Sequence, residues 1–280
     1  MTLRHDRHER DAAGLTYVYP VVSRRARGVS VGINLNTNRA CNWRCVYCQV
    51  PGLVRGKAPE VDLGQLEREL RAFVRSIALG DFLAEHVPED SRRWNDIAFS
   101  GDGEPTSSPQ FAGAVAIARD VLDEFDPLGS ARLVLITNGS LVHQRGVQDG
   151  LRLFGTRDEV WFKLDSATEE GLRAINDVAP GLERVRTNLR TAAELAPTWI
   201  QTCVFARNGE PPSEAEQAAL VEFLGERVKE GVALHGVLLY GLARESHQPE
   251  ASELSRLDLA WLERYAARIA TTGLEVRVHP

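Results

Sequence analysis

The sequence predicts an α/β protein built on a parallel sheet. Six short runs rich in Val, Ile, Leu or aromatic residues recur along the 280 residues, and stretches with helical spacing of apolar residues separate them. Strands that alternate with helices favour parallel pairing with right-handed crossovers. Six such repeats suit either an open doubly wound sheet or an incomplete barrel, and both place a functional site at the carboxyl ends of the strands.

Each predicted strand ends at polar residues or glycine. The six strands are residues 29–36, 97–101, 132–137, 159–164, 199–205 and 237–241. Two helices are indicated by apolar stripes. One stripe is Leu63, Leu66, Leu70, Phe73, Val74 and Ile77, and the other is Leu254, Leu257, Trp261, Tyr265 and Ile269. Pro109 and Pro212 stand where helices can start, and Gly273 can cap the last helix before a short strand at 274–278.

Composition and charge fit a globular protein. Hydrophobic residues make up 43% of the chain and charged residues 26%, which excludes a disordered or collagen-like chain. The first residues lack the apolar core of a signal peptide, and no later run is long enough to cross a bilayer, so we expect a cytoplasmic protein without a membrane partner. Residues 1–58 carry a net charge of +7 and the remainder −13. We predict a basic N-terminal extension, residues 1–28, before a single domain of residues 29–280.

Three cysteines follow the first predicted strand. Cys41, Cys45 and Cys48 lie within eight residues, and a tight loop can bring their sulfurs to one soft metal centre. A structural zinc site needs four closed ligands, and no His or fourth Cys lies at zinc-finger distance. Three thiolates can hold three irons of a 4Fe–4S cluster and leave the fourth iron free to bind something else. The spacing therefore indicates a reactive cluster rather than a closed structural site.

The motif Cys41-Asn-Trp-Arg-Cys45-Val-Tyr-Cys48, with an aromatic residue directly before the last cysteine, resembles the signature of the radical S-adenosylmethionine (SAM) superfamily. The resemblance implies a partial (β/α)6 barrel with parallel strands, a 4Fe–4S cluster on the three cysteines, and SAM on the open iron. In that superfamily an electron from the cluster breaks the sulfonium C–S bond, and a 5′-deoxyadenosyl radical abstracts a substrate hydrogen. The resemblance thus predicts an oxidoreductase- or transferase-type enzyme whose reaction is unspecified.

A glycine-rich stretch, Ser100-Gly-Asp-Gly-Glu-Pro-Thr, ends the second predicted strand. Taken alone it is typical of a turn and a helix N-cap, yet its glycines also let a ligand approach and its oxygens can accept from an ammonium. It is similar to the Gly-Gly-Glu motif of the superfamily, which holds the methionyl ammonium of SAM. The resemblance implies SAM contacts from four residues, with either of the two carboxylates facing the ligand: Gly101, Asp102, Gly103 and Glu104. The Gly-Glu-Pro-Thr form is similar to the branch with wyosine-synthase-like and activase-like members.

Later strand ends supply the remaining candidate SAM contacts. Lys163 and Asp165 point the same way from the fourth predicted strand. Either they form a structural ion pair, or Lys163 meets a carboxylate while Asp165 or Ser166 meets ribose hydroxyls, since the superfamily places SAM contacts at this strand end. Further predicted contacts follow the third, fifth and sixth strands: Asn138, Arg207 and Tyr240. Cys203 is expected to be a small buried residue, with a substrate contact or a thiyl-forming residue as the alternatives.

The arginines near the cysteine motif predict a partner. A cluster of this kind needs an external low-potential electron, and flavodoxins and ferredoxins are generally acidic, so we expect a salt-sensitive docking surface. The predicted set is Arg24, Arg25, Arg27, Arg39 and Arg44. The same charges could capture a phosphate-bearing substrate or tRNA, or belong to a solvated tail. Sparse aromatic residues and the acidic remainder disfavour nucleic acid.

Two classes of function follow from these patterns. The favoured class is a radical SAM enzyme that acts on a small molecule, a tRNA base or a glycyl site of a partner protein. The competing class is a non-catalytic iron–sulfur electron carrier or sensor, which would be expected to use four protein ligands and no acceptor loop. The sequence has no downstream cysteine set for an auxiliary cluster, which departs from the wyosine-synthase pattern.

Overall fold

The structure is a computed structural model that describes residues 14–23, 28–179 and 181–280. The chain divides into two compact units. The first takes in what is described of Met1–Asn42, together with Gly56–Ile136 and Gln144–Glu159. The second takes in Trp43–Arg55, Thr137–His143 and what is described of Val160–Pro280. No helix in the described ranges combines the length and the apolar character that a bilayer crossing requires.

Strands and helices alternate along the chain as predicted. The strands are β1 (Val18–Ser23), β2 (Gly28–Ile33), β3 (Ala40–Cys41), β4 (Val54–Arg55), β5 (Trp94–Phe99), β6 (Arg132–Thr137), β7 (Glu159–Lys163), β8 (Thr198–Cys203), β9 (Ala206–Arg207), β10 (Leu234–Tyr240), β11 (Leu254–Ser255) and β12 (Val276–His279). The helices are α1 (Leu63–Ala78), α2 (Phe82–His86), α3 (Phe111–Phe125), α4 (Arg145–Leu151), α5 (Glu169–Asn176), α6 (Leu182–Leu195), α7 (Glu214–Lys229) and α8 (Leu259–Ala270). Short 3-10 turns cover Glu89–Ser91, Pro105–Ser107 and Pro249–Glu253.

The strands of the first unit follow the order β1-β2-β5-β6. β2, β5 and β6 pair in parallel, which confirms the predicted parallel arrangement. β1 pairs antiparallel with β2 along its whole length. It was not predicted, since its residues fall in the segment assigned to the N-terminal extension. Pro20 fits there because β1 ends the sheet order, and proline is tolerated in an edge strand.

The strands of the second unit follow the order β7-β8-β10-β12, and every described pairing among them is parallel. Residues that are paired across neighbouring strands share one face of the sheet, so Lys163, Gln201 and Leu238 form one row. The next row on that face contains Cys203 and Tyr240. The predicted alternation of strand and helix is confirmed in this unit as well.

Side-chain caps mark the starts of the two helices that carry the predicted apolar stripes. Asp62 accepts from the main-chain nitrogen of Gln65 at the start of α1, and Asp258 does the same for α8. Five of the six residues in the first predicted stripe are buried in α1: Leu66, Leu70, Phe73, Val74 and Ile77. The second stripe was placed too early, because the Asp258 cap starts the helix only at Leu259. Leu254 therefore lies in β11, ahead of the helix.

A polar row crosses the strands of the first unit on one face. Ser30 pairs with Asp96 in register, and Asp96 pairs in turn with Arg132. The Ser30 hydroxyl donates to Asp96, while Arg132 forms an ion pair of 2.8 Å with Glu159. Burial, the largest cause, raises the pKa of Asp96, as does Glu159, whereas Ser30 and Arg132 lower it. The net result is a pKa of about 6.

The shifted Asp96 pKa predicts a pH-dependent stability effect. In the unfolded chain this carboxyl ionises near its ordinary value of 3.8, but the folded protein keeps the proton until about pH 6. Ionisation therefore favours unfolding as pH rises through this window, and Asp96→Asn removes that loss. We expect the free energy of unfolding of the variant, relative to wild type, to increase by up to about 3 kcal/mol between pH 4 and pH 8. Urea titrations across this range measure the difference, with the exposed Asp120→Asn as the control, and a pH-independent difference for Asp96→Asn would contradict the assignment.

Candidate functional site

The predicted cysteine motif lies on the loop that leaves β3. Cys41 is the last residue of that strand, and Cys45 and Cys48 follow it. All three are half-buried thiols that are not in disulfides, whereas Cys203 is fully buried in β8. The expectation that Cys203 is a small buried residue is thus met. The loop offers three soft donors of the type that iron–sulfur clusters take.

The three thiols are a donor set of the kind that a 4Fe–4S cluster takes. Among the described residues, no three His, Cys, Asp or Glu side chains converge closely enough to ligate one metal ion. In a 4Fe–4S cluster each cysteine binds a different iron, so the sulfurs need not meet at one point.

Main-chain hydrogen bonds hold the Cys45–Cys48 part of the loop within the second unit. The nitrogen of Val46 donates to the carbonyl of Ile175 at 2.8 Å. From the other side the Ser246 hydroxyl donates to the carbonyls of Val46 and Cys48, at 2.7 and 3.2 Å. Segments distant in sequence therefore fix the backbone that carries these two sulfurs.

Arg44 fastens the same loop through its side chain. Both terminal nitrogens donate to the Glu250 carboxylate at 2.9 Å, and Nε donates to Asp177 at 3.1 Å. Hydrogen bonds from Arg44 to Glu250 hold the pKa of that carboxyl below its usual value. Arg44 is thus held by two carboxylates of the second unit. Arg39 of the predicted set is exposed, and Arg24, Arg25 and Arg27 lie outside the described residues.

Tyr47, the aromatic residue before the last cysteine, links the loop to the end of β7. Its ring is buried and packs against Phe205 with centroids 5.8 Å apart, and its hydroxyl donates to Asp165. Asp165 also accepts from the main-chain nitrogen of Cys203 at 2.9 Å and from Asn176 at 2.7 Å. Both oxygens of Asp165 therefore have partners within the protein, and the carboxylate orders the loop.

Lys163 lies beside this network without an ion pair. Its ammonium donates weakly, at 3.4 Å, to the hydroxyls of Tyr47 and Tyr240 and lies 5.3 Å from the centre of the Tyr47 ring. Burial alone would lower the pKa of Lys163, but Tyr240 and Asp165 outweigh it and hold that pKa above its usual value. Among the described residues no carboxylate is close enough to pair with it, so the predicted alternative of a Lys163–Asp165 ion pair is wrong. A partly buried cation with no carboxylate in direct contact is suited to an anionic ligand.

The acceptor stretch, residues 101–104, lies in the first unit after β5. Gly101 has φ of +137°, and a side chain there would meet Asn34 at 2.5 Å. A Cβ at Gly103 would come within 2.1 Å of the Ala40 carbonyl oxygen. Asn34 closes the turn by donating to the Asp102 carboxylate at 2.7 Å and accepting from the Asp102 nitrogen at 3.1 Å. Gly101 is therefore required by its positive φ and the adjacent Asn34 side chain, and Gly103 by the adjacent main chain of Ala40.

Glu104 caps a turn, which is the alternative role that was predicted for this stretch. Its side chain is buried and accepts from the nitrogen and the hydroxyl of Thr106, at 3.2 and 2.6 Å, which caps the turn Pro105–Ser107. Asp102 is less buried than Glu104. Of the two candidate carboxylates, Asp102 is the one that the structure leaves partly exposed.

The other predicted SAM contacts lie in the second unit and also have partners there. Asn138 accepts from Ser140 in a tight turn, at 3.0 Å to its nitrogen and 2.7 Å to its hydroxyl. Ser166 donates to Glu216 at 2.6 Å, and Arg207 pairs with Glu253 at 2.7 Å. These three side chains are engaged in local structure. Tyr240 contacts Lys163, so these two predicted residues are brought together.

Sequence reasoning missed Asn34 and Asn176. Asn34 could have been found, because it is a polar residue at the end of the first predicted strand, where the site was expected. Asn176 ends α5 and donates to Cys45 Sγ at 3.2 Å, although 131 positions separate the two residues. No local sequence pattern signals such a contact.

Comparison with known sequences agrees with the motif. The family model described as the Radical SAM superfamily matches residues 35–220. A UPF0026 protein of Methanocaldococcus jannaschii is 31% identical over 158 residues, which are 56% of this chain and 42% of that protein. A UPF0026 protein of Helicobacter pylori is 28% identical over 151 residues, covering 52% and 41%. The chain therefore spans less than half the length of these relatives.

Solved structures show the same fold at low identity. TYW1 with a lysine–pyruvate adduct bound gives a TM-score of 0.56 at 16% identity, covering 88% of this chain and 74% of that one. A radical SAM methyltransferase from Sphaerobacter thermophilus gives a TM-score of 0.58 at 14% identity. The match covers 94% of this chain and 69% of that one. A spore photoproduct lyase variant with bound AdoMet and a dinucleoside spore photoproduct gives a TM-score of 0.58 at 12% identity. The match covers 99% of this chain and 80% of that one. These neighbours have the partial-barrel fold that the sequence predicted for this chain.

Proposed function

Because this chain belongs to the radical SAM superfamily, we propose that it is an enzyme that cleaves SAM reductively at a cluster held by Cys41, Cys45 and Cys48. The superfamily uses a 4Fe–4S cluster and SAM, and these are the predicted cofactors. The observation that carries the proposal is the loop with three thiols outside any disulfide, a donor set suited to a cluster with one open iron. When bound, cluster and SAM supply a one-electron reductant and a carbon radical that removes a substrate hydrogen.

Residues of the chain would bind SAM by its charged groups. We assign the SAM carboxylate to Lys163, because this ammonium has no ion pair among the described residues. Tyr47 and Tyr240 hold the ammonium in place by their hydroxyls. We assign the SAM ammonium to the acceptor stretch 101–104, where Asp102 is the more accessible carboxylate. Such fixed polar groups orient the ligand before the reaction starts.

A structural role is proposed for four of the predicted SAM contacts: Asp165, Ser166, Asn138 and Arg207. Their side chains have partners inside the protein, so we assign them to holding the strand ends in place rather than to direct SAM contacts. Asp165 does so for the cysteine loop through Tyr47. The proposed substrate classes are a small molecule, a tRNA base and a glycyl site of a partner protein.

SAM cleavage is the direct test of the proposal. Anaerobically reconstituted protein with dithionite is expected to convert SAM to 5′-deoxyadenosine and methionine, slowly without substrate, because the reductant supplies the electron and the site orients SAM. Chromatography of the products measures it, and protein without dithionite is the control. A protein with an intact cluster that neither binds nor cleaves SAM would instead favour the electron carrier.

We propose a flavodoxin or ferredoxin as the electron donor. Superfamily enzymes need a reductant, and Arg39 is an exposed cation close in sequence to the cysteines. Arg44 contributes to the loop rather than to docking, because Glu250 and Asp177 hold it. In the cleavage assay, added salt is expected to slow a flavodoxin-driven reaction and to leave the dithionite reaction unchanged.

A further inference from the structure

Asn176, at the end of α5, touches the sulfur of a predicted cluster ligand. Its side chain is completely buried. The amide nitrogen donates to Cys45 Sγ at 3.2 Å and to Asp165 Oδ2 at 2.7 Å. The two hydrogens of one amide nitrogen are thus shared between a sulfur and a carboxylate.

The orientation of this amide is set by its partners. A carboxylate only accepts hydrogen bonds, so Asp165 requires the nitrogen of Asn176, and not its oxygen, on this side. The oxygen Oδ1 is buried and has no partner among the described residues. A buried amide oxygen without a partner destabilises a fold, so packing alone does not account for asparagine at this position.

The backbone around Asn176 is fixed to the cysteine loop as well. The carbonyls of Ile175 and Asn176 accept from the nitrogens of Val46 and Arg44, at 2.8 and 3.2 Å. Asp177 then turns the chain with left-handed φ and ψ of 54° and 47°. Main-chain hydrogen bonds from Arg44 and Val46, the two sequence neighbours of Cys45, therefore fix the distance from the amide to the cysteine.

We propose that Asn176 is a positioning residue that raises the reduction potential of the cluster through an N–H···S bond to Cys45. The proposal rests on the proposed function, because it requires Cys45 to bind iron. Reduction adds negative charge to the cluster and its sulfurs, and an N–H donor stabilises the more negative state more strongly. Hydrogen bonds to the sulfurs are among the factors that set the potentials of such clusters.

The experiment compares midpoint potentials of reconstituted proteins without SAM. Asn176→Leu keeps the size of the side chain and removes the N–H donor, and Asn176→Ala serves if leucine is not accommodated. We expect both to bind as much iron as wild type and to show a lower midpoint potential in an EPR-monitored titration. A tenfold change in the reduction equilibrium corresponds to about 59 mV for one electron, and a shift of this order is expected.

Asn188 provides a matched control. It is also a buried asparagine of a helix in the second unit, and its amide donates to the carbonyl of Gly139 at 2.8 Å, not to a cysteine. Asn188→Leu is expected to leave the potential unchanged.

Three results would overturn the proposal. An unchanged potential in iron-loaded Asn176 variants would show that the contact has no electronic effect. An equal shift of the midpoint potential in Asn188→Leu would show that losing any buried amide has this effect. Failure of both Asn176 variants to fold or to load iron would assign the residue a structural role only. A wild-type chain that takes up no iron would refute the proposed function itself, which keeps the two failures apart.

Discussion

The variants Cys41→Ala, Cys45→Ala and Cys48→Ala are each expected to lose the cluster, with iron falling from about four atoms per chain to near zero. Each thiol would bind its own iron, so two remaining thiols leave two irons without a protein ligand. The loop cannot replace the missing donor, because Cys203, the fourth cysteine, is buried in β8. Iron and sulfide assays after anaerobic reconstitution measure the loss.

Cys203→Ala is the matched control for this series. Its thiol packs among the residues of a hydrophobic cluster that includes Tyr47 and Tyr240, so alanine there leaves a small cavity and an intact loop. We expect iron content equal to wild type. Loss of iron from Cys203→Ala to the same extent would overturn the assignment of three ligands and an open iron.

Lys163→Met is expected to weaken SAM binding by about 2 kcal/mol or more, which is roughly 30-fold in Kd. Methionine has about the length of lysine but no charge, so the SAM carboxylate would lose its counterion in a partly buried site. Calorimetry on the oxidised, cluster-loaded protein measures binding without cleavage. Iron content should not change, since Lys163 is not a proposed ligand.

Lys229→Met tests whether any lost lysine has this effect. Lys229 is exposed at the end of α7, and its replacement is expected to leave SAM affinity unchanged. If Lys163→Met binds SAM as tightly as wild type, the anion of SAM is held elsewhere. Loss of iron from Lys163→Met would instead indicate that this lysine supports the cysteine loop.

The strands of the sheet could be predicted well because they are short apolar runs with clear ends. The third predicted strand coincides with β6, Arg132–Thr137, residue for residue. β1 was missed because its segment lies among basic residues and contains Pro20, which argues against an interior strand. Only its position at the end of the strand order, with β2 as its neighbour, shows that it is an edge strand, and that position is a property of the folded chain.

The site could be predicted where its chemistry is local in sequence. Three cysteines within eight residues and a glycine-rich strand end are both short patterns, and the structure places each on a loop after a strand. The partners of these residues are not local. Asp165 was expected to face a ligand, yet its oxygens are taken by Tyr47, Asn176 and the Cys203 nitrogen, and only the fold brings these groups together.

The way the cysteine loop is held also determines when it can take its shape during synthesis. The Arg44 side chain donates to Glu250, which is 206 positions later, and the carbonyl of Val46 accepts from Ser246, which is 200 positions later. At translation rates of about 5–20 residues per second, these partners leave the ribosome roughly 10–40 s after the cysteines. A nascent chain that ends before Ser246 therefore has the motif and its partners near Ile175, but lacks the contacts from Ser246 and Glu250. The loop therefore acquires its full set of described contacts only after Glu250 has left the ribosome.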